Sequence, residues 1–276
     1  MPDISHRQEF SSVLTDDISY NHAHIQNADP DSFVYHSHDR YEIILLMKGD
    51  MKYFCEGRSY DLSVGDLVLT RPAVFHSIMP SKTTHYERYD IIVNERLISR
   101  TVRDRIPKDR DVFKCAGNER IFDLFAKLDF YYERFSKEEF AHLVFNITEE
   151  VIYNLTLLDG EGERGFVNPL IDRATAYIRE HLTEIKSVDE ISSALYITKS
   201  HLHHIFTEYL HMTPAKYVMS KRMLLAEKKL RRGAKPTEVY SECGFGDYAT
   251  FFRNYKKYFG TPPSMVTDAT ITREII

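Results

Sequence analysis

The amino-acid sequence predicts an α+β protein in two domains. An N-terminal β-barrel with flanking helices precedes an all-α C-terminal domain, in which a long helix joins two helix-turn-helix units. Three observations predict this. Between Phe33 and Val93, short runs rich in Tyr, Phe, Ile and Val alternate with Gly and Pro turn signals, the pattern of a small barrel or sandwich. After Asn118 the apolar period changes to about 3.6 residues, which is helical spacing. Beyond Pro169 the helical pattern continues and contains an approximate internal repeat.

Composition bounds the possibilities. A chain of 276 residues is long enough for two ordinary domains, and 43% hydrophobic with 28% charged residues is the balance of a globular protein. The longest apolar run, Ile43 to Met47, has strand length, where a membrane helix needs roughly 20 residues. Met1 to Phe10 carries Asp3, His6, Arg7 and Glu9, where a secretory signal would need an apolar stretch. Cys55, Cys115 and Cys243 form neither a CxxC nor an even framework, which fits a reducing compartment. These features predict a cytoplasmic protein with no membrane partner. The net charge of −5 divides unevenly: residues 1–168 hold 20 Lys and Arg against 29 Asp and Glu, residues 169–276 hold 16 against 12. The C-terminal part, at +4, can face a phosphate backbone; the N-terminal part, at −9, would be repelled by it.

Taken in order, the predicted strands are FVYH, YEIILLMK, MKYFCE, DLVLTR and YERYDIIV, parted by Gly49-Asp50, Gly57, Gly65-Asp66 and Pro72. Two helices follow. Phe122, Phe125, Leu128 and Tyr132 form one stripe, and Phe140, Leu143, Val144, Ile147, Val151 and Leu155 the next; both are apolar enough to pack on the barrel and on a second subunit, so a homodimer is expected. Asp159 to Asn168 has three glycines and no periodicity and reads as a linker. The expected boundaries are a barrel and dimerisation domain at 1–158 (barrel about 20–115, helices about 119–158), a linker at 159–168, a helical domain at 169–267 and a tail at 268–276.

The repeat carries the functional argument. Ile191 matches Val239 at a separation of 48, and Phe206, Tyr209, Leu210 and Pro214 match Tyr255, Tyr258, Phe259 and Pro263 at 49. Each copy reads as a short helix, a tight turn and a longer amphipathic helix, the helix-turn-helix unit, whose second helix sets its N-terminal part in the DNA major groove. In copy one the short helix is Val188 to Leu195, the turn is Tyr196-Ile197, and Thr198 caps the helix running to Tyr209. In copy two the short helix is about Pro236 to Cys243, Gly244 lies in the turn, and Asp247 opens the helix to Tyr258. Between them, Thr213-Pro214 starts a helix to Arg232, closed by Gly233. Its cluster Lys228, Lys229, Arg231 and Arg232 could touch phosphates, although such clusters are more often solvated faces.

The stretch CGFGDYATFFRNYKKYFGTPPS, Cys243 to Ser264, resembles the signature of the AraC-type transcription regulators. Upstream, Arg222 and Ala226 match the family's linker helix, and IREHLTEIKSVDEISSALYITKSHLHHIF matches its first unit. Over about 100 residues the resemblance implies two recognition helices entering successive major-groove segments, roughly one helical turn apart. By the family's pattern the groove-facing positions are Ser200, His203 and His204, with Lys199 and His201 nearby, then Ala249, Thr250 and Arg253, with Tyr248 and Asn254 nearby. Arg253 can pair with guanine, Thr250 can meet a thymine methyl, and the histidines can donate to base acceptors. Leu202, Ile205, Phe206, Phe251, Phe252 and Tyr255 are expected in the core. His201, His203 and His204 point in different directions on a helix and cannot converge on a metal. The sequence departs from the family at Tyr196, where a small turn residue is favoured and strain is expected, at Tyr240 in place of Ala, and at Val266-Thr267.

In the strand-rich part, His36-Ser-His38-x3-Glu42 and a later His76 resemble the metal motifs of the cupins, double-stranded β-helix barrels, and the sensor domain often found before such DNA-binding domains. His36 and His38 share a face on an extended chain, and Glu42 and His76 are expected on neighbouring strands. Pro72 before His76, and a missing Gly, depart from the cupin pattern. Three imidazoles and a carboxylate suit Zn, Ni, Mn or Fe; a pocket for a small organic effector, a sugar by the family's habit, and a relic packed into the barrel are the other readings. The chain is thus expected to be an effector-responsive, sequence-specific regulator of double-stranded DNA, an activator that would meet RNA polymerase, and not an enzyme. The competing reading is a metal-dependent cupin enzyme with an appended helical module, for which only Tyr41, Tyr53 and His85 offer themselves and none is diagnostic.

Overall fold

A computed structural model of the chain describes residues 8–15, 17–108, 110–158 and 165–266, with side chains from Leu14 onward. The expected tail at 268–276 and most of the expected linker lie outside these residues. The N-terminal strands are β1 (Gln8–Thr15), β2 (Ile18–Ala28), β3 (Arg40–Lys48), β4 (Met51–Cys55), β5 (Arg58–Leu62), β6 (Asp66–Thr70), β7 (His76–Pro80), β8 (Thr84–Asn94) and β9 (Val112–Lys114), with a short helix α1 (Arg100–Arg103) before β9. They form an antiparallel sheet in the order β1-β2-β8-β3-β6-β9, faced by a second sheet in which β5, β4 and β7 follow the two-residue strand β10 (Phe166–Val167).

The unbroken run in β3 has a physical reason. Ile44 and Leu46 pack with Tyr53, Cys55, Tyr60 and Ile78 between the two sheets, whereas Ile43 and Leu45 pack on the outer face with Tyr20, Ile91 and Val93. A strand covered on both faces has no polar side to alternate with. The outer cover is α2 (Glu119–Tyr132) and α3 (Lys137–Leu155), giving helix, sheet and sheet layers. Asn118 caps α2, and Ser136 with Glu139 closes a capping box on α3. The buried stripe of α2 is Ile121, Leu124, Phe125 and Leu128; Phe122 and Tyr132 of the predicted stripe are only partly buried at its rim.

Two expectations for the barrel fail. FVYH is not a strand: a 3-10 turn at Pro30–Ser32 precedes it and only His36 pairs, in an isolated bridge to His76. The barrel also starts earlier, because β1 and β2 supply one edge of the larger sheet. Within the expected linker, Phe166 and Val167 form a short strand that pairs with Ser59 and Arg58 of β5.

The C-terminal helices are α4 (Pro169–His181), α5 (Val188–Ala194), α6 (Lys199–Leu210), α7 (Pro214–Arg231), α8 (Pro236–Glu242) and α9 (Tyr248–Phe259). Local chemistry sets their starts: Asn168, Ser187, Thr198, Thr213 and Asp247 each accept a backbone N–H at an N-cap. α4, α5 and α6 pack around Ile171, Ile178, Ile191, Leu202, Ile205 and Phe206. α7, α8 and α9 close a second core around Met223, Val239, Cys243, Phe251 and Tyr255. Phe252, expected in that core, is only partly buried. Among the described residues, no helix is long and apolar enough to cross a membrane.

Candidate functional site

His36, His38, Glu42 and His76 converge. One potential ligand atom from each lies within 4.8 Å of those of the others. His38, Glu42 and His76 are buried and His36 is partly exposed. Glu42 stands on β3 of the larger sheet and His76 opens β7 of the smaller one, so they meet across the sandwich and not on neighbouring strands as expected. The close approach comes from the His36–His76 bridge, in which each backbone N–H donates to the other's carbonyl at 2.9 Å. Ala73 N–H donates to His38 O at 2.7 Å and ties the two segments together beyond the bridge.

The imidazoles share one orientation. Nδ1 of His36 lies 3.1 Å from Val34 O, that of His38 3.1 Å from Arg40 O, and that of His76 2.9 Å from Val74 O. A carbonyl only accepts, so each Nδ1 carries the proton and each Nε2 is left with its lone pair. A carbonyl held against Nδ1 fixes each ring's tautomer and orientation and so readies the opposite nitrogen for a metal. His76 Nε2 lies 2.8 Å and His38 Nε2 3.7 Å from Glu42 Oε2, yet all three atoms are buried without a hydrogen bond. Burial pushes the Glu42 carboxyl up, and only protonated His76 and His38 rings outweigh it and hold it well below the usual carboxylate range; with lone pairs turned inward no proton offsets the charge. An ionised carboxylate facing lone pairs in a buried site is costly, and a divalent cation would satisfy every one of these atoms. The residues fit Zn, Ni, Mn or Fe by donor type.

The same two segments dock the C-terminal helices, which sequence reasoning missed. Glu56, between β4 and β5, accepts from Phe75 N–H at 2.8 Å and also from Tyr217 Oη and Lys221 Nζ of α7. Lys221 Nζ donates to Ala73 O at 2.7 Å. Phe75, one residue before His76, belongs to the core of the first helical unit and packs on Tyr217 at 5.5 Å between ring centroids. Tyr35, one residue before His36, stacks on Phe75 and meets the His211 ring at the end of α6. Arg231 Nε lies 3.1 Å from Asp39 Oδ2. No local signal in the sequence pairs the barrel residues with the helical ones, which lie 142 to 192 positions apart.

On the helical side, Lys199, Ser200, His201 and His204 of α6 are exposed and His203 is partly exposed; Ala249 and Arg253 of α9 are exposed, and Tyr248, Thr250 and Asn254 partly so. None of the ten is buried. Lys199 Nζ reaches Asp189 at 3.1 Å, His204 Nε2 lies 3.4 Å from Glu208, and Arg253 donates to Thr250 Oγ1 at 3.2 Å. Arg222 donates from Nε to Leu182 O at 2.9 Å and from its terminal nitrogen to Ile185 O, tying α7 to the segment between α4 and α5. Lys228, Lys229 and Arg231 of the basic cluster are engaged by Glu95, Glu242, Glu227 and Asp39, which leaves Arg232 as the exposed member without an ion pair among the described residues.

Comparison with known proteins agrees with both halves. The family model for an AraC-like ligand binding domain matches residues 22–128, and a helix-turn-helix domain model matches 191–269. The HTH-type transcriptional regulator GbdR of Pseudomonas aeruginosa is 26% identical over 163 residues, 56% of this chain and 43% of its own length. The uncharacterized HTH-type transcriptional regulator YbfI of Bacillus subtilis is 25% identical over 226 residues, 78% of this chain and 80% of its own. The chain thus spans less than half the length of the first of these relatives. Among solved structures, ToxT of Vibrio cholerae is 13% identical, covering 90% of this chain and 97% of its own, with a TM-score of 0.37 that makes it a distant likeness.

Proposed function

The chain belongs to the AraC-type regulators, and from that premise we propose that it is a cytoplasmic, sequence-specific DNA-binding transcription regulator whose barrel senses a metal or a small molecule. The observation that carries the DNA-binding part is the duplicated unit. Two capped helices, α6 and α9, recur 49 residues apart and present polar N-terminal faces, with their apolar faces in two separate cores. Lys199, Ser200, His201, His203, His204, Tyr248, Ala249, Thr250, Arg253 and Asn254 are the base- and phosphate-contacting set. Selection of a binding sequence from random duplexes, followed by footprinting, tests this. Two protected major-groove segments about one helical turn apart are expected, and protection no better than on arbitrary DNA would overturn it.

The effector site is the cluster of His36, His38, Glu42 and His76. These residues would hold a divalent metal, which supplies charge neutralisation there and a coordination position for a small ligand, a sugar hydroxyl or a carboxylate among them. Occupancy fixes the segments 35–39 and 73–76, and those segments carry the contacts to α7. Ligand binding in the barrel and the setting of the helical domain are thereby one equilibrium. The regulator acts as a homodimer through the layer of α2 and α3, where Phe130 of α2, Tyr153 of α3 and Phe135 in the turn between them remain exposed, and as an activator it meets RNA polymerase. Footprinting with metal-free and metal-loaded protein tests the sensing reading: an unchanged pattern and affinity would remove it.

A further inference from the structure

A second cluster lies on the outer face of the larger sheet. His22 and His24 stand on β2, and Glu87 and Tyr89 on β8 directly opposite them, in the pairs His24–Glu87 and His22–Tyr89. His22 Nε2 lies 3.3 Å from Glu87 Oε1, and His24 Nδ1 lies 3.5 Å from Glu87 Oε2. Behind His22, its Nδ1 lies 2.8 Å from Asp129 Oδ2 of α2. The same carboxylate accepts from Tyr20 Oη at 2.6 Å and from Tyr89 Oη at 2.8 Å.

We propose that His22, His24 and Glu87 form a divalent-metal site distinct from the buried one, with Asp129 as the positioning group behind His22. An ionised Asp129 only accepts, so the bond from His22 places the proton on Nδ1 and turns the Nε2 lone pair toward Glu87. A lone pair and a carboxylate facing each other repel unless a cation stands between them. Two carboxylates, Asp129 and Glu87, surround the two imidazoles, and a 2+ ion balances both charges where a single proton on His22 balances one. One ligand atom from each of His22, His24 and Glu87 lies within 4.8 Å of the others, and small side-chain rotations bring such a set to the roughly 3.4 Å separations of ligands at about 2.1 Å around a tetrahedral Zn²⁺. A carboxylate hydrogen-bonded behind a ligating histidine fixes its tautomer and raises its basicity. The side chains of His24 and Glu87 are 31% and 23% exposed against 8% for His22, so an ion has a route in and a water can complete its shell. Asp129 belongs to α2, so a metal here ties the β2–β8 pair to the helical layer through His22.

The test uses full-length protein stripped with a chelator, titrated with Zn²⁺ against a chromogenic competitor and with Co²⁺ read by its visible absorption. Wild type is expected to bind two equivalents, one at each cluster, of which His24→Ala and Glu87→Gln each lose one. Both side chains are partly exposed, and melting by circular dichroism checks that the variants stay folded. Asp129→Asn is expected to keep the equivalent with affinity lowered about 10- to 100-fold, which a bystander position would not do. His38→Ala, altered only in the buried cluster, is expected to retain it. Unchanged stoichiometry and affinity in both His24→Ala and Glu87→Gln, or no metal bound by His38→Ala, would overturn the proposal.

Discussion

Arg231, in the last turn of α7, sets its Nε 3.1 Å from Oδ2 of Asp39, the residue that follows His38. The guanidinium also donates to Glu227 at 2.8 Å within α7, so one side chain joins the sensor loop to the core of the second helical unit. The pair is largely shielded from solvent, with 11% and 12% of the side chains exposed, which keeps its attraction above that of a surface ion pair. Asp39→Asn is therefore expected to weaken communication and not metal binding. Wild-type affinity for operator DNA should change at least about 5-fold on metal loading, the lower range for allosteric coupling, and the variant's by less than half of that. Equal metal responses in the two proteins would remove Asp39 from the coupling route.

The buried cluster makes a second prediction. With its Nε2 and carboxylate atoms unsatisfied, metal should raise the melting temperature with the logarithm of its excess over the dissociation constant, the stabilisation reaching about 2.7 kcal/mol at a hundredfold excess. His38→Ala and His76→Ala should each lose one equivalent of bound metal and most of that stabilisation. Should both variants bind as wild type does, the cluster is a polar pocket for an organic ligand or a packed relic.

Much of this was legible in the sequence, and the division has a physical basis. The starts of α6 and α9 were readable because Thr198 and Asp247 act on backbone groups two or three residues away. The four-residue cluster was readable from spacing, but not its construction across two sheets, because nothing local to His76 records that β7 pairs with β4. FVYH reads as a strand by composition, yet its backbone pairs only at His36. The His22 cluster needs the long-range pairing of β2 with β8, and the docking of α7 needs Glu56 beside Lys221, 165 positions away.

A third prediction concerns the repeat's turn. Tyr196 and Gly244 occupy equivalent positions 48 apart, and both have positive φ, 58° and 80°. Tyr196 is 92% exposed and contributes little packing to offset a left-handed backbone, which costs a non-glycine residue about 1–2 kcal/mol. Replacing it with Gly removes that cost and adds some unfolded-state entropy, about 0.4–1 kcal/mol. Tyr196→Gly is expected to be neutral or to stabilise by up to about 1 kcal/mol in denaturant melts. Gly244→Ala should destabilise, because a Cβ there would stand 2.5 Å from Thr183 O and 2.9 Å from Arg222 Cζ. A marked loss in Tyr196→Gly would contradict the strain argument.

A fourth separates base reading from phosphate contact. Arg253→Ala should weaken specific binding by about 1–3 kcal/mol and relax preference at one base pair. Lys256 and Lys257, exposed one turn further along α9, should when replaced weaken all sequences alike and reduce the salt slope by about one each. A uniform loss in Arg253→Ala would reassign it to the phosphates.

The last concerns Glu227, 2% exposed on α7 between Tyr255 and Arg231. Burial raises its pKa to about 7 even though Arg231 pulls the other way. A carboxyl whose folded pKa lies above its unfolded value binds its proton more tightly in the folded state. Its contribution is therefore fully present below the unfolded value of about 4.3 and is lost as pH rises toward about 7. At about 1.36 kcal/mol per pKa unit, the full window is worth on the order of 3 kcal/mol. Glu227→Gln keeps an acceptor for the Tyr255 hydroxyl and cannot titrate. The stability of wild type relative to Glu227→Gln should thus fall steadily between pH 4.5 and 7 and level off above. A difference that is flat across that window, or one that rises, would show that the Arg231 guanidinium holds this carboxylate ionised throughout.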